Sequence, residues 1–294
     1  MSSSGGITLK VSIIGAGAVG KATGIGLSQV GHYVIFYDIA ESRRKELQAE
    51  GYSIAENLDA VNGCDVHIIC VPTPVPNGVM DFSIVESAVI GLARVMTGQD
   101  KYQVIAIRST ILPLTVKERI IPLLGHHCSL KLGEQYGICH NPEFLREAYA
   151  LEDFLDPPII VIGADDERSA GIMKQLYAPF KAPLLITTTG NAEAIKFFSN
   201  VYNVTKVSFF NEMYLIAKRL GLDHEVISQA LTKSSLGVRI PEYYTKGGYP
   251  FAGHCLPKDL AAFITFLKEL GFDPVFYKEV VKINEEMKRL GKVE

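Results

Sequence analysis

Six residues near the start of the chain, Gly15-Ala16-Gly17-Ala18-Val19-Gly20, constrain its fold more than any other feature. They follow a β-rich apolar run, Lys10–Ile14, without a spacer and open a segment of helical period, Ala18–Val30. The next β-rich run, Tyr33–Tyr37, leads into Asp38, eighteen residues beyond Gly20. Strand, glycine turn, helix, strand and acidic residue, in that order, form the context of a dinucleotide-binding βαβ unit. Gly15 permits the tight turn, Gly17 lets the backbone approach a pyrophosphate, and Gly20 allows close helix–strand packing. The helix N-terminus at Ala18 and Val19 presents free N–H groups and positive potential to phosphates. Asp38 accepts the ribose hydroxyls and repels a 2′-phosphate, which selects NAD over NADP. Arg43 and Arg44 lie near enough to hold a phosphate, but fit the solvated face of the following helix better.

The alternation continues. Further β-rich runs occur at Val66–Val71, Gln103–Ile107, Tyr136–Cys139, Ile159–Ile162 and Leu184–Thr188, separated by helical-period segments. Several are continuously apolar, as strands covered on both faces must be. The pattern predicts an α/β domain over residues 1–190, a Rossmann-type doubly wound parallel sheet. After Gly190 the texture changes: Asn191–Leu220 holds no Gly and no Pro over thirty residues, with Asn191 placed to cap its start and Gly221 to stop it. Helical periodicity returns at Glu225–Lys233, Pro257–Leu270 and Pro274–Leu290. Residues 191–294 therefore read as an all-α domain with a long connecting helix. At 1.5 Å per residue that helix is about 45 Å long, a length suited to a subunit contact or a within-chain spine.

Composition sets the class of partner. A net charge of −3 over 294 residues gives no electrostatic reason to expect nucleic acid or an anionic membrane. The longest apolar runs are far too short to span a bilayer, and the start of the chain lacks the pattern of a secretory signal. Five scattered cysteines form no CxxC pair and no metal-ligand spacing with the seven histidines, so no metal is expected. Reduced thiols of this kind indicate a cytoplasmic protein.

Ligands of open α/β sheets bind beyond the carboxyl ends of the strands. The loops Val71-Pro72-Thr73-Pro74 and Arg108-Ser109-Thr110 end two of them, as cofactor or substrate contacts or as ordinary turns. Asn141-Pro142-Glu143-Phe144-Leu145-Arg146-Glu147 follows another strand and offers two carboxylates, Glu143 and Glu147, for general base work or to orient water. On the long helix Lys196 and Asn200 are four apart and share a face amid apolar neighbours, with Asn211 three turns further on. Gly253-His254-Cys255-Leu256-Pro257-Lys258-Asp259 places a thiol just before a helix expected to begin near Pro257. A helix N-terminus and a nearby lysine both lower a thiol pKa, which singles out Cys255 as the candidate nucleophile. Cys64, Cys70 and Cys139 read as small buried hydrophobes and Cys128 as a loop residue.

Taken together and in order, GAGAVG, VPTP, RST, NPEFLREA, AEAIKFFSNVYNVTKVSFFNE and GHCLPKD closely resemble the UDP-glucose/GDP-mannose dehydrogenases along almost the whole chain. The resemblance implies a Rossmann domain joined by a long dimerisation helix, here 191–220, to a helical middle domain, hence a homodimer. It implies NAD-dependent oxidation of the C6 alcohol of a sugar-nucleotide substrate to a carboxylate in two hydride transfers. Cys255 would form a thiohemiacetal and then a thioester. Lys196 and Asn200 would stabilise oxyanions. Asp259 with a water would assist alcohol deprotonation, while Thr110 and Glu143 would handle water and protons. The cofactor contacts carried over are Gly15, Gly17, Ala18, Val19, Gly20, Asp38, Val71, Pro72, Thr73, Ser109, Glu147 and Lys258.

The chain departs from the family pattern in places. Arg108 stands where Lys is common, His254 stands where Ser is common, and an arginine usual near Asp156-Pro157-Pro158 is absent. These mixed signals leave the sugar open. Members of the family continue into a second Rossmann-like domain that closes over the nucleotide, whereas this sequence stops at Glu294. Two other readings stand beside the first. One is a two-electron β-hydroxyacid or 6-phosphogluconate-type dehydrogenase, which would share the Lys-x-x-x-Asn pair but has no need of the thiol. The other is an inactive NAD-binding dimer.

Overall fold

A computed structural model describes residues 7–96, 101–234, 247–253 and 255–290. His254 lies outside the described residues. The chain forms two compact units, one of residues 1–73 and 81–196, the other of residues 74–80 and 197–294. The division falls inside the long helix, between Lys196 and Phe197, whereas the change of sequence texture lies near 190.

The first unit is built on an eight-stranded sheet. Its strands are β1 (Lys10–Ile14), β2 (Tyr33–Tyr37), β3 (Ser53–Ile54), β4 (Val66–Ile69), β5 (Gln103–Ile107), β6 (Tyr136–His140), β7 (Ile160–Ala164) and β8 (Leu184–Thr187). They are ordered β3-β2-β1-β4-β5-β6-β7-β8. The reversal of order between β1 and β4 is the switch point at which such sheets bind dinucleotides. Val11, Ile13, Val66, Ile68, Val104 and Ala106 point to one face and join a core with Ile25 and Leu27 of helix α1 (Ala18–Gln29). Phe154 of α5 (Ala150–Leu155) and Met173 and Leu176 of α6 (Glu167–Leu176) complete it. Alternate residues, among them Ile69, Ile105 and Ile107, are fully buried outside that core. Helix α3 (Ser83–Val95) contacts β4 and α4 (Ile121–His127). Helix α2 (Glu41–Ala49) follows β2.

Three details differ from the sequence reading. The two-residue β3 extends the sheet beyond β2 and is too short to carry a periodic signal. Strand β7 pairs antiparallel with β6, so the sheet is mixed, while β8 is again parallel to β7. The connection between β6 and β7, residues 141–159, holds the six-residue α5. Finally, the long helix α7 spans Thr189–Leu220, and Asn191 does not cap it. The Asn191 N–H instead donates to the Thr188 hydroxyl, and Asp165 at the end of β7 accepts from the N–H and hydroxyl of Thr189.

Among the described residues the second unit holds no strand. Its helices beyond α7 are α8 (His224–Ser234), α9 (Cys255–Glu269) and α10 (Val275–Leu290). Val204, Val207, Phe251, Leu260 and Val280 form its buried centre. Phe263 carries the aromatic part, with ring centroids of Phe197, Phe198 and Tyr277 at 6.2, 5.9 and 5.3 Å. Pro74–Met80 lies with this unit, where Gly78 packs against Thr265 of α9.

Candidate functional site

The glycine turn between β1 and α1 has the geometry that its residue types demand. Gly15 adopts a φ of +95°, and a Cβ there would stand 2.8 Å from the Cys70 carbonyl oxygen. A Cβ on Gly20 would stand 1.9 Å from the carbonyl oxygen of Gly15, so α1 can approach the turn only because that side chain is missing. A Cβ on Gly17 would meet nothing within 4 Å. Gly17 caps α1 without a side-chain hydrogen bond, and the first turn of α1 carries no acidic residue, so Ala18 and Val19 open an uncapped positive helix end. The half-buried Asp38 carboxylate accepts from the Ala16 N–H at 2.7 Å, which ties the end of β2 to the turn. Arg44 donates to the Asp38 carbonyl oxygen at 2.6 Å, which engages its guanidinium in the backbone of that turn. An uncapped helix start, an open Gly17 and an acidic residue at the end of β2 fit NAD, whose pyrophosphate Gly15–Gly20 would hold and whose ribose Asp38 would hold.

The two loops beyond β4 and β5 are tied to each other. The Ser109 hydroxyl donates to the Val71 carbonyl oxygen at 2.6 Å, and the Thr73 hydroxyl donates to that of Thr110 at 2.8 Å. Val71 and Thr110 are half-buried, and Pro72 is exposed.

Beyond β6 the chain turns through Asn141-Pro142-Glu143. The Asn141 side chain donates to the Val161 carbonyl oxygen at 2.8 Å, extending the β6–β7 ladder by one rung. Its amide oxygen accepts from the buried Arg108 at 2.8 Å and from the Tyr177 hydroxyl at 2.6 Å. The turn thereby aims Glu143 inward. Glu143 Oε1 lies 2.8 Å from Lys196 Nζ, and Oε2 accepts from the Leu145 N–H at 2.6 Å. Burial alone would raise the Glu143 carboxyl, but the Lys196 ammonium, the Leu145 N–H and more distant Arg108 outweigh it and hold it below the usual range. A cavity of about 30 Å³ lined by Glu143, Arg108, Asn141 and Tyr177 adjoins the turn, room for a water. Glu147 is exposed, four residues on.

In the second unit α9 begins at Cys255 itself, which is exposed. One turn on, Asp259 is 1% exposed. Its carboxylate accepts from Asn200 Nδ2 and from Lys258 Nζ, each at 2.6 Å. Lys258, carried over as a cofactor contact, is therefore engaged with its neighbour. The remaining thiols sit where burial disfavours the thiolate. Burial pushes Cys64 up to about 11 and Cys70 up to about 12, and raises Cys139 and Cys128 as well.

Some structurally committed residues carried no readable signal. Glu193, 0% exposed on α7, accepts from the N–H groups of Leu114 at 2.6 Å and Val116 at 2.8 Å. A glutamate near a helix start looks like any solvated residue. A buried chain crosses three strands, Ser12 Oγ to His67 at 2.8 Å and His67 to Gln103 at 2.8 Å. Burial drives His67 down to about 4, so it stays neutral and locks the register. A period-two alternation with polar residues in apolar strands was the available clue.

Among the described residues no three His, Cys, Asp or Glu side chains are grouped to hold a metal ion. No helix there is long and apolar enough to cross a membrane.

Comparison with known proteins locates both units. Residues 54–181 match the NAD binding domain of the UDP-glucose/GDP-mannose dehydrogenase family, and residues 190–286 match its central domain. Residues 10–90, which hold the glycine turn, also match the coenzyme F420-dependent NADP oxidoreductases. The GDP-mannose 6-dehydrogenase of Pseudomonas syringae pv. tomato is 31% identical over 94% of this chain, which spans 68% of its length. The UDP-glucose 6-dehydrogenase of Bacillus subtilis is 30% identical over 95% of this chain, which spans 63% of its length. The structure of a UDP-glucose dehydrogenase from Pyrobaculum islandicum superposes with a TM-score of 0.90 at 33% identity, covering 98% of this chain and 71% of that one. The chain belongs to the UDP-glucose/GDP-mannose dehydrogenase family and carries its NAD binding and central domains.

Proposed function

We propose that the chain catalyses the NAD-dependent oxidation of the C6 alcohol of a nucleotide sugar to the carboxylate, through covalent intermediates on Cys255. The observation that carries the reading is α9, which exposes Cys255 at its first residue while Asp259, one turn on, is buried between Asn200 and Lys258. A thiol at a helix start is set up to attack, and a carboxylate held by an amide and an ammonium is set up to manage a proton. NAD, when bound, supplies the hydride acceptor for both oxidations. In this reading Asp259, with a water, takes the alcohol proton. Cys255 Sγ then forms a C–S bond to the aldehyde carbon, and the carbonyl oxygen gains a proton. After the second oxidation, water cleaves the C–S bond of the thioester and returns the thiol. The balance is one alcohol, one water and two NAD to one carboxylate and two NADH, with three protons released. Lys196 and Asn200 stabilise negative charge on oxygen. Glu143, ionised at neutral pH, acts with Thr110 on the attacking water.

Relatives named for GDP-mannose and for UDP-glucose match almost equally well, so the nucleotide sugar is proposed only as a class. A homodimer through α7 belongs to the same reading. Phe198, Tyr202, Phe209 and Ile216 are each about half exposed, and the last three recur every seven residues, a spacing that presents one stripe to a partner helix.

The decisive experiment offers UDP- and GDP-sugars with NAD to the chain and to Cys255→Ser. Two NADH per acid formed, and loss of acid but not of NAD binding in the variant, are expected. Undiminished acid from Cys255→Ser would overturn the covalent route. One NADH per substrate would point to a two-electron dehydrogenase. NAD binding without sugar-dependent NADH would leave an inert binding dimer.

A further inference from the structure

Residues 247–253, ahead of α9, have no regular secondary structure, yet backbone groups of Gly247, Gly248, Tyr249 and Phe251 are held by side chains. Gly247 packs where a Cβ would stand 2.4 Å from the Tyr214 Cβ, and its N–H donates to His224 Nε2 at 3.1 Å. Gly248, at a φ of +87°, turns the chain against the Tyr214 ring, and Phe251 is 2% exposed in the core of the second unit. Buried backbone groups without a ladder need side-chain partners. Two buried asparagines supply them. On α7, Asn211, 0% exposed, accepts from the Gly248 N–H at 3.0 Å and donates to the Tyr249 carbonyl oxygen at 2.9 Å. On α10, Asn284, 3% exposed, accepts from the Phe251 N–H at 2.8 Å and donates to the Phe251 carbonyl oxygen at 3.2 Å.

Each amide therefore does what an adjacent strand would do, offering one acceptor and one donor to the extended chain. Neither a carboxylate nor a hydroxymethyl group gives that pair at the same reach. The splinted residues end four positions before Cys255, and the packing of Phe251 by itself fixes only a ring, not the direction of the backbone. We propose that Asn211 and Asn284 are positioning residues for the Cys255 thiol, splinting 248–251 so that the chain enters α9 in one orientation. The proposal rests on Cys255 as nucleophile but concerns how the thiol is held. With the splint lost, the sulfur no longer keeps a fixed place relative to the first-turn N–H groups that stabilise a thiolate.

The test is carboxamidomethylation of the full chain by iodoacetamide from pH 6 to 10, with the Cys255 adduct followed by peptide mass spectrometry. Asn211→Ala and Asn284→Ala are expected to move the Cys255 midpoint upward by about one pH unit, and to slow its modification at pH 7 about tenfold. NAD affinity should stay within about twofold, since the glycine turn is untouched. Val280→Ala is the control, because it removes packing beside Phe251 without touching either amide. An unchanged Cys255 profile in the asparagine variants, or an equal shift in Val280→Ala, overturns the proposal. Should the asparagine variants fail to fold, hydrogen exchange of the unaltered chain decides. The Gly248 and Phe251 amides are expected to exchange at least a hundredfold more slowly than that of exposed Gly253, and equal rates overturn the splint. Acid formation by Cys255→Ser would refute the nucleophile while leaving this readout intact.

Discussion

The Lys196 ammonium lies 2.8 Å from Glu143 Oε1, and only 7% and 10% of the two side chains are exposed. A buried ion pair of this kind is costly to break from one side, because the survivor keeps its desolvation without its partner. Lys196→Met should therefore destabilise the chain by about 3–5 kcal/mol in urea unfolding. The double variant Lys196→Met/Glu143→Leu should recover most of that loss, since both charges leave together. Simple addition of the two single effects would show that the pair is not coupled.

Gly17 and Gly20 separate binding from folding. At Gly17 a Cβ meets no protein atom and φ is −67°, so Gly17→Ala should fold with an unchanged midpoint. It should weaken NAD binding at least about tenfold, because the methyl group occupies the approach of the pyrophosphate. Gly20→Ala collides with the Gly15 carbonyl oxygen and should lose stability as well as binding. Calorimetric titration with NAD beside thermal melts checks both, and unaltered NAD affinity in Gly17→Ala would remove the turn from the cofactor site.

Asp259 faces Asn200 and Lys258, and its carboxylate oxygens accept from both. Asp259→Asn keeps the shape but removes the charge that takes a proton. The expected result is a loss of about 10²–10⁴ in kcat with NAD affinity retained. A variant within threefold of the unaltered chain in steady-state NADH production would assign Asp259 a structural role alone.

Much of the first unit was legible because its signals are local. The glycine turn, the apolar strands and Asp38 are dictated within forty residues by turn chemistry and side-chain period, and they appear where the sequence placed them. Helix starts were less legible, since the cap of α7 comes from Thr188 and from Asp165, just past β7. The antiparallel pairing of β7 with β6 was not legible, because side-chain period reports how a strand is buried and not which way it runs. The individual candidates Glu143, Lys196, Asn200 and Asp259 were visible, but their pairings were not. Glu143 meets Lys196 across 53 positions and Asn200 meets Asp259 across 59, contacts made by packing rather than by spacing. Asn211 appeared only as a continuation of a helical stripe, and Asn284 not at all, because an amide that will grip a backbone looks like one that will face water.

Glu193 offers a test of stability with a defined sign. Burial raises its carboxyl from an ordinary 4.5 to about 7, against the opposing N–H groups of Val116 and Leu114 and with help from the charges of Asp165 and Glu118. Between those two values the folded chain keeps the proton while the unfolded chain releases it. The stability contributed by Glu193 is thus complete below pH 4.5 and lost as pH rises through 7, a change of roughly 3 kcal/mol. Glu193→Gln cannot titrate, so its stability relative to the unaltered chain should improve across that window. Urea unfolding of both proteins from pH 4.5 to 8 measures the difference, which is expected to shift in favour of the variant and then level off. A difference that stays flat would mean that Glu193 titrates alike in both states. One that moves the other way would mean that the two N–H groups hold it ionised in the fold, and that the latch between α7 and Leu114–Val116 tightens rather than loosens with pH.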